Sequence, residues 1–141
     1  NFVDGQASLL AQNNYEAMRQ GFVSAYPTFS GHALEQCFLQ TLTNGHRFTE
    51  IGPWWDRKGL NEMDIVAIND DEIYFCEVKR SRAKFSLAQL SGKVAAFFSC
   101  NDVLRDRKAT LCCLSLDDLG KTSEELCRQM QEEGSPFSDE R

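Results

Sequence analysis

Much that would place a protein quickly is missing from this sequence. No apolar run approaches the roughly 18–20 residues of a membrane span, so no membrane partner is expected. No signal-peptide pattern opens the chain, which starts at Asn1 without a methionine, and a fragment of a longer protein is expected. No phosphate-binding loop of the GxxxxGK(S/T) type occurs, so any ATPase activity would belong to an upstream region. Only 2 histidines are present, and His32 and His46 stand in no zinc-binding spacing. The 6 cysteines include no CxxC pair. Cys37, Cys76, Cys112 and Cys113 sit inside apolar runs, where cysteine behaves as a small hydrophobe. Buried free thiols are therefore favoured over disulfides or a thiolate metal site, and a cytoplasmic location follows as the default.

A strong basic surplus is also missing. The formal charge is −6, which argues against a free-standing binder of duplex nucleic acid. The charge is unevenly spread, however. Residues 57–108 carry ten of the 15 basic side chains against eight acids, and both flanking stretches are acidic. No repeat or low-complexity tract is visible. With 141 residues, 42% hydrophobic and 26% charged, the chain suits one ordinary globular core.

Periodicity divides the chain. Residues 6–23 read as a helix through Leu9, Leu10, Met18 and Phe22, broken by Pro27 and the stretch TFSG. A second helix runs from about His32 to Thr43, with Leu34, Cys37, Phe38, Thr41 and Leu42 on one stripe, and Asn44-Gly45 ends it. RFTEIGPWW reads as a strand closed by Pro53 and the two tryptophans. NEMDIVAIN and EIYFCEVKR read as a hairpin around Asp70-Asp71. Helical spacing returns over 86–98, ATLCCLSL is a buried strand, and a closing helix follows with Ser123 as its candidate N-cap. The tail GSPFSDER is expected to fray. The division is an N-terminal helical extension at 1–29, a main domain at 30–133 and a flexible tail at 134–141. The order gives an α/β sandwich on a mixed sheet.

Chemistry gathers on the hairpin. Residues two apart on a strand share a face, so Glu77 and Lys79 project together while Val78 points into the core. Pairing of the two strands could bring Asp64 beside Glu77. Two close carboxylates repel unless a cation lies between them, and a hard ion such as Mg²⁺ or Mn²⁺ suits oxygen ligands. Lys79 could then orient or deprotonate a water.

The segment MDIVAINDDEIYFCEVKR resembles the PD-(D/E)XK nuclease motif, an Asp followed after a short hairpin by Glu-X-Lys. The proline of that motif is absent, since Met63 precedes Asp64. Over residues 30–116 the element order is similar to the restriction-endonuclease-like αβββαβ core, here with an extra N-terminal helix and a C-terminal helix. A closer resemblance is to the uncharacterised domain C-terminal to archaeal-type prokaryotic ATPases, carried by GHALEQCF, IGPWWDRKG, NEMDIV and CEVK. The resemblance implies Asp64, Glu77, the Val78 carbonyl and Glu35 as metal ligands, with Asp64, Glu77, Lys79 and Glu35 forming the catalytic set. It implies Mg²⁺ or Mn²⁺ as cofactor, DNA before RNA as partner, and a covalently linked ATPase region. A homo-oligomer is compatible with it.

Each feature also has a plainer reading. Glu-X-Lys alone is usually a solvated pair, and Glu35 on an amphipathic helix is usually surface. Glu62 is an accessory acid or a surface residue. Arg80, Arg82 and Lys84 follow the catalytic strand and are candidates for phosphate contact, with Gln89 and, more weakly, Lys93 on the next helix. Trp54 and Trp55 could stack on bases, but packing is the first expectation. The leading reading is a metal-dependent phosphodiesterase domain. Its alternative is a catalytically silent nuclease-fold module for regulation or for partner or DNA binding.

Overall fold

The computed structural model describes residues 31–138. The helix expected at 6–23, and with it the 1–29 extension, lies outside the described residues. Helix α1 is Gly31–Asn44, and its stripe of Leu34, Cys37, Phe38 and Leu42 is buried as its spacing requires. Strands β1 (Glu50–Trp55), β2 (Glu62–Ile68) and β3 (Glu72–Lys79) form an antiparallel meander. The turn between β2 and β3 is shaped by Asn69, whose side-chain oxygen accepts from the N–H groups of Asp71 (3.0 Å) and Glu72 (2.7 Å). Helix α2 (Leu87–Cys100) starts at Ser86, whose hydroxyl accepts from Gln89 N–H, and carries the chain over to β4 (Lys108–Ser115). β4 therefore lies parallel to β3. Helix α3 (Ser123–Glu133) and the two-residue β5 (Ser135–Pro136) complete a sheet in the order β1-β2-β3-β4-β5. The architecture is mixed α/β, with the expected αβββαβ order and an added C-terminal helix.

Two cores lie on the two faces of the sheet. α1 and α3 cover one face through Leu34, Phe38, Leu42, Leu126 and Met130, packed on Ile65, Ala67, Cys76, Val78 and Leu114. α2 covers the other through Leu90, Val94, Phe97 and Phe98, packed on Met63, Val66, Ile73, Phe75 and Leu111. The rings of Phe75, Phe97 and Phe98 meet edge to face at 5.2–5.7 Å. All six cysteines are free, and all but Cys100 are buried. No helix among the described residues is long and apolar enough to cross a membrane.

Three local expectations change. Pro53 does not close β1 but sits inside it, where an edge strand tolerates a residue without an N–H. The N-cap of α3 is Thr122 rather than Ser123: the Thr122 hydroxyl accepts from Glu125 N–H and the Glu125 carboxylate accepts from Thr122 N–H. Ser115 and Asp118 already close a separate short turn at Leu116–Asp118, so the helix starts later than its apolar pattern suggests. The start of the tail is ordered as well. Ser135 and Pro136 pair with Leu111 and Thr110, and the Phe137 ring lies 5.6 Å from that of Phe98. A polar sequence conceals one aromatic anchor here, together with the unpaired edge of β4 that receives it.

Gly134 makes this return possible. A β-carbon there would stand 2.4 Å from the Met130 carbonyl oxygen and 2.4 Å from Thr110 Cγ2. Gly134→Ala is expected to cost about 1–3 kcal/mol through this overpacking, seen as a lower urea midpoint. An unchanged midpoint would show that α3 and β4 are not so closely set.

Candidate functional site

The hairpin between β2 and β3 is regular until it reaches Asp64. Hydrogen-bonded pairs alternate along an antiparallel ladder. The N–H of Asn69 bonds the Glu72 carbonyl, and the paired register runs to Ile65 opposite Cys76. The next hydrogen-bonded pair would be Met63 with Val78. Instead, Val78 N–H donates to the Asp64 carboxylate at 2.8 Å. A strand residue turns its N–H and C=O to the same side, so the Val78 carbonyl faces this opening too.

The cause lies on β1. Gly52 opposes Val66 and Trp54 opposes Met63, so Asp64 and Ile65 together lie opposite Pro53 alone. This is a bulge, at the one β1 position with no amide to donate. It resets the alternation, so that Met63 and Val66 both face α2 while Ile65 faces α1. β2 thereby leaves β3 at Asp64, and the side chain takes over a bond that the backbone has released.

Carboxylates from three elements gather at this opening. Glu35 of α1 is half-buried, hydrogen-bonds Asp64, and lies within electrostatic reach of Glu77 and Glu62. Burial, then the Asp64 hydrogen bond, then the charges of Asp64, Glu77 and Glu62 push its carboxyl up to about 8. At neutral pH Glu35 therefore holds a proton and donates it toward Asp64. Glu77 is 6% exposed and points to the α2 side, where one carboxylate oxygen accepts from Lys93 Nζ at 2.9 Å. Its other oxygen, Oε2, is buried without a hydrogen-bond partner among the described residues. Lys79 shares the Glu77 face of β3 and is half-exposed, and Val78 points into the α1 core. As the side chains stand, no three His, Cys, Asp or Glu groups among the described residues are close enough to hold a metal ion. The donor chemistry nonetheless suits a hard divalent ion, since the donors are carboxylates and one buried oxygen of Glu77 has no hydrogen-bond partner among the described residues.

The other candidates divide. Gln89 is exposed on α2, four residues before Lys93 and hence on the same helix face. Arg80 and Lys84 are exposed beyond the end of β3. Arg82 is turned away from the carboxylates. Its guanidinium donates to the Cys113 carbonyl (3.0 Å) and to the buried Asp118 (2.7 Å). Asp118 also accepts from Ser115 N–H (2.9 Å) and Lys121 (3.0 Å). Burial opposes its charge, but Ser115, Lys121, Gln129 and Arg82 together bring its carboxyl below the ordinary value. This network clasps the end of β4. The role of Lys93 as the partner of Glu77 carries no sequence signal, because strand and helix meet only after folding.

Fold and site together define a mixed α/β domain with an acidic opening at the split of a β-hairpin. The chain belongs to the DUF234 family, described as archaeal and bacterial proteins of unknown function, whose model matches residues 1–90. The match takes in α1 and the three antiparallel strands, and it ends before Lys93. Searches of the curated proteins and of the solved structures found no match.

A raised carboxyl has a stability consequence. The folded state holds the Glu35 proton from the ordinary value of 4.5 up to about 8, so this contribution is complete below 4.5 and is lost as pH rises through about 8. Stability of the chain should fall across that window, and Glu35→Gln should flatten the fall, as read from urea midpoints at several pH values. An identical slope in the variant would remove Glu35 as its source.

Proposed function

We propose that this domain is a divalent-metal-dependent phosphodiesterase acting on DNA, with RNA as the second choice, and that it forms the C-terminal part of a larger prokaryotic ATPase protein. The observation that carries this reading is the convergence of Glu35, Glu62, Asp64 and Glu77 at the split hairpin, with Glu77 Oε2 buried and unpartnered. Asp64, Glu77 and the Val78 carbonyl would hold Mg²⁺ or Mn²⁺, with Glu35 at its margin through a water. When bound, the ion would supply an acidified water and offset charge on the phosphate. Lys79 would orient the attacking water and offset charge developing on the phosphate. Glu35 keeps a proton beside Asp64. Arg80, Lys84 and Gln89 steady the phosphates on either side, while Arg82 serves mainly as a strut to Asp118.

Asp64→Asn keeps an acceptor for Val78 N–H but loses a ligand charge, and Lys79→Ala removes the side chain that orients the water. Each should lower divalent-dependent cleavage by about 100-fold or more while circular dichroism stays unchanged. Cleavage at the wild-type rate in both variants would sink the proposal.

One observation favours a second reading. The Lys93 ammonium already neutralises Glu77, which is what a silent nuclease-fold module for regulation or partner binding would need. Calorimetry with Mn²⁺ separates the two. Binding that is lost in Asp64→Asn supports the phosphodiesterase, and no binding to the unaltered chain supports the silent module.

A further inference from the structure

The tryptophan pair of β1 has no task in the site described above. Neighbouring strand residues face opposite ways. Trp54 turns to α2 and meets Phe97 edge-on at 5.4 Å, as a core residue would. Trp55 turns to the other face and is 63% exposed. It stands in register with Glu62, a separation of roughly 5 Å between α-carbons. The charge of Glu62 reaches Glu35, so the bare indole is one strand away from the gathered carboxylates.

The loop that follows is firm and positively charged on its outside. Asp56 accepts from Leu60 N–H at 2.8 Å through one oxygen and from the Asn61 side chain at 2.9 Å through the other. Gly59, at φ 68°, turns its N–H back to the Asp56 carbonyl. The only acid of the loop is thus engaged by the loop itself. Arg57 and Lys58 are exposed, and among the described residues neither has an ion-pair partner. Leu60 is 77% exposed beside them. A flat aromatic face with two exposed cations on a preformed loop is complementary to a base and its flanking phosphates. In a duplex both faces of a base are covered by its neighbours, so the complementary ligand is an unpaired base.

We propose that Trp55 is a stacking platform for an unpaired base of single-stranded nucleic acid, with Arg57 and Lys58 on the adjoining phosphates. This rests on the phosphodiesterase reading for its setting, and it makes the substrate of that site a strand that is single beside the point of cutting. The test is binding of the full chain to a short oligothymidylate and to a duplex of equal length, in chelator, by fluorescence anisotropy. The single strand should bind more tightly. Trp55→Ala should weaken it about tenfold or more, and Trp55→Phe should keep most of it. Arg57→Gln with Lys58→Gln should lower the slope of log affinity against log salt by roughly one or more. The proposal is overturned if Trp55→Ala binds the single strand as well as the unaltered chain does. It is also overturned if that variant loses duplex binding equally, or loses only self-association in sedimentation. Because chelator removes divalent ions, a failure of Mn²⁺ binding at Asp64 would end the phosphodiesterase reading and leave the Trp55 result standing.

Discussion

At the centre of this domain the Asp64 carboxylate holds the amide of Val78, a donor that the β2 backbone would have taken in an unbroken hairpin. The exchange satisfies a buried backbone group that could not be left unpaired. It also allows β2 to bend away from β3 without losing the bond. The bulge opposite Pro53 supplies the extra residue, and the resulting gap is where α1 brings Glu35 and β3 brings Glu77. Asp64 is therefore structural through the oxygen that holds Val78 N–H, and on the proposed reading its charge would serve the metal.

The gap carries an electrostatic tension that the rest of the fold partly relieves. Like charges at short range in a half-buried place favour protonation or a counter-charge. Both remedies are visible. Glu35 keeps a proton, and Glu77 takes the ammonium of Lys93 from the opposite face. Neither remedy reaches Glu77 Oε2. An ion pair to a nearly buried carboxylate does little for stability overall but is costly to break, so the Lys93 contact also fastens α2 to the end of β3.

The β4 side of this same end of the parallel pair, where Ser115 is in register with Lys79, is held differently. Arg82 and Lys121 converge on the buried Asp118, and Ser115 N–H completes its shell. Here one carboxylate meets two cations and a backbone N–H, and both of its oxygens are bonded, as a structural network requires. The contrast separates the two acidic places. Asp118 has partners in abundance, whereas the carboxylates at the split hairpin share too few.

The sequence by itself determined the elements and the strand positions of Asp64, Glu77 and Lys79. Period-3.6 stripes in α1 and α2 and near-continuous apolar runs in β3 and β4 are local properties, because burial acts on residues at fixed spacing. Asp64, Glu77 and Lys79 were legible as a set for the same reason, since two of them share a strand face and the third begins its hairpin partner. Boundaries that depend on a single hydrogen bond were less legible, as at Thr122 and Ser135. Tertiary structure alone decided which charges meet. It joined Lys93 to Glu77, sent Arg82 to Asp118 and gave the two tryptophans opposite environments. Those pairings span elements brought together only by the packing of helices on the sheet, and spacing along a chain carries no record of distance across it.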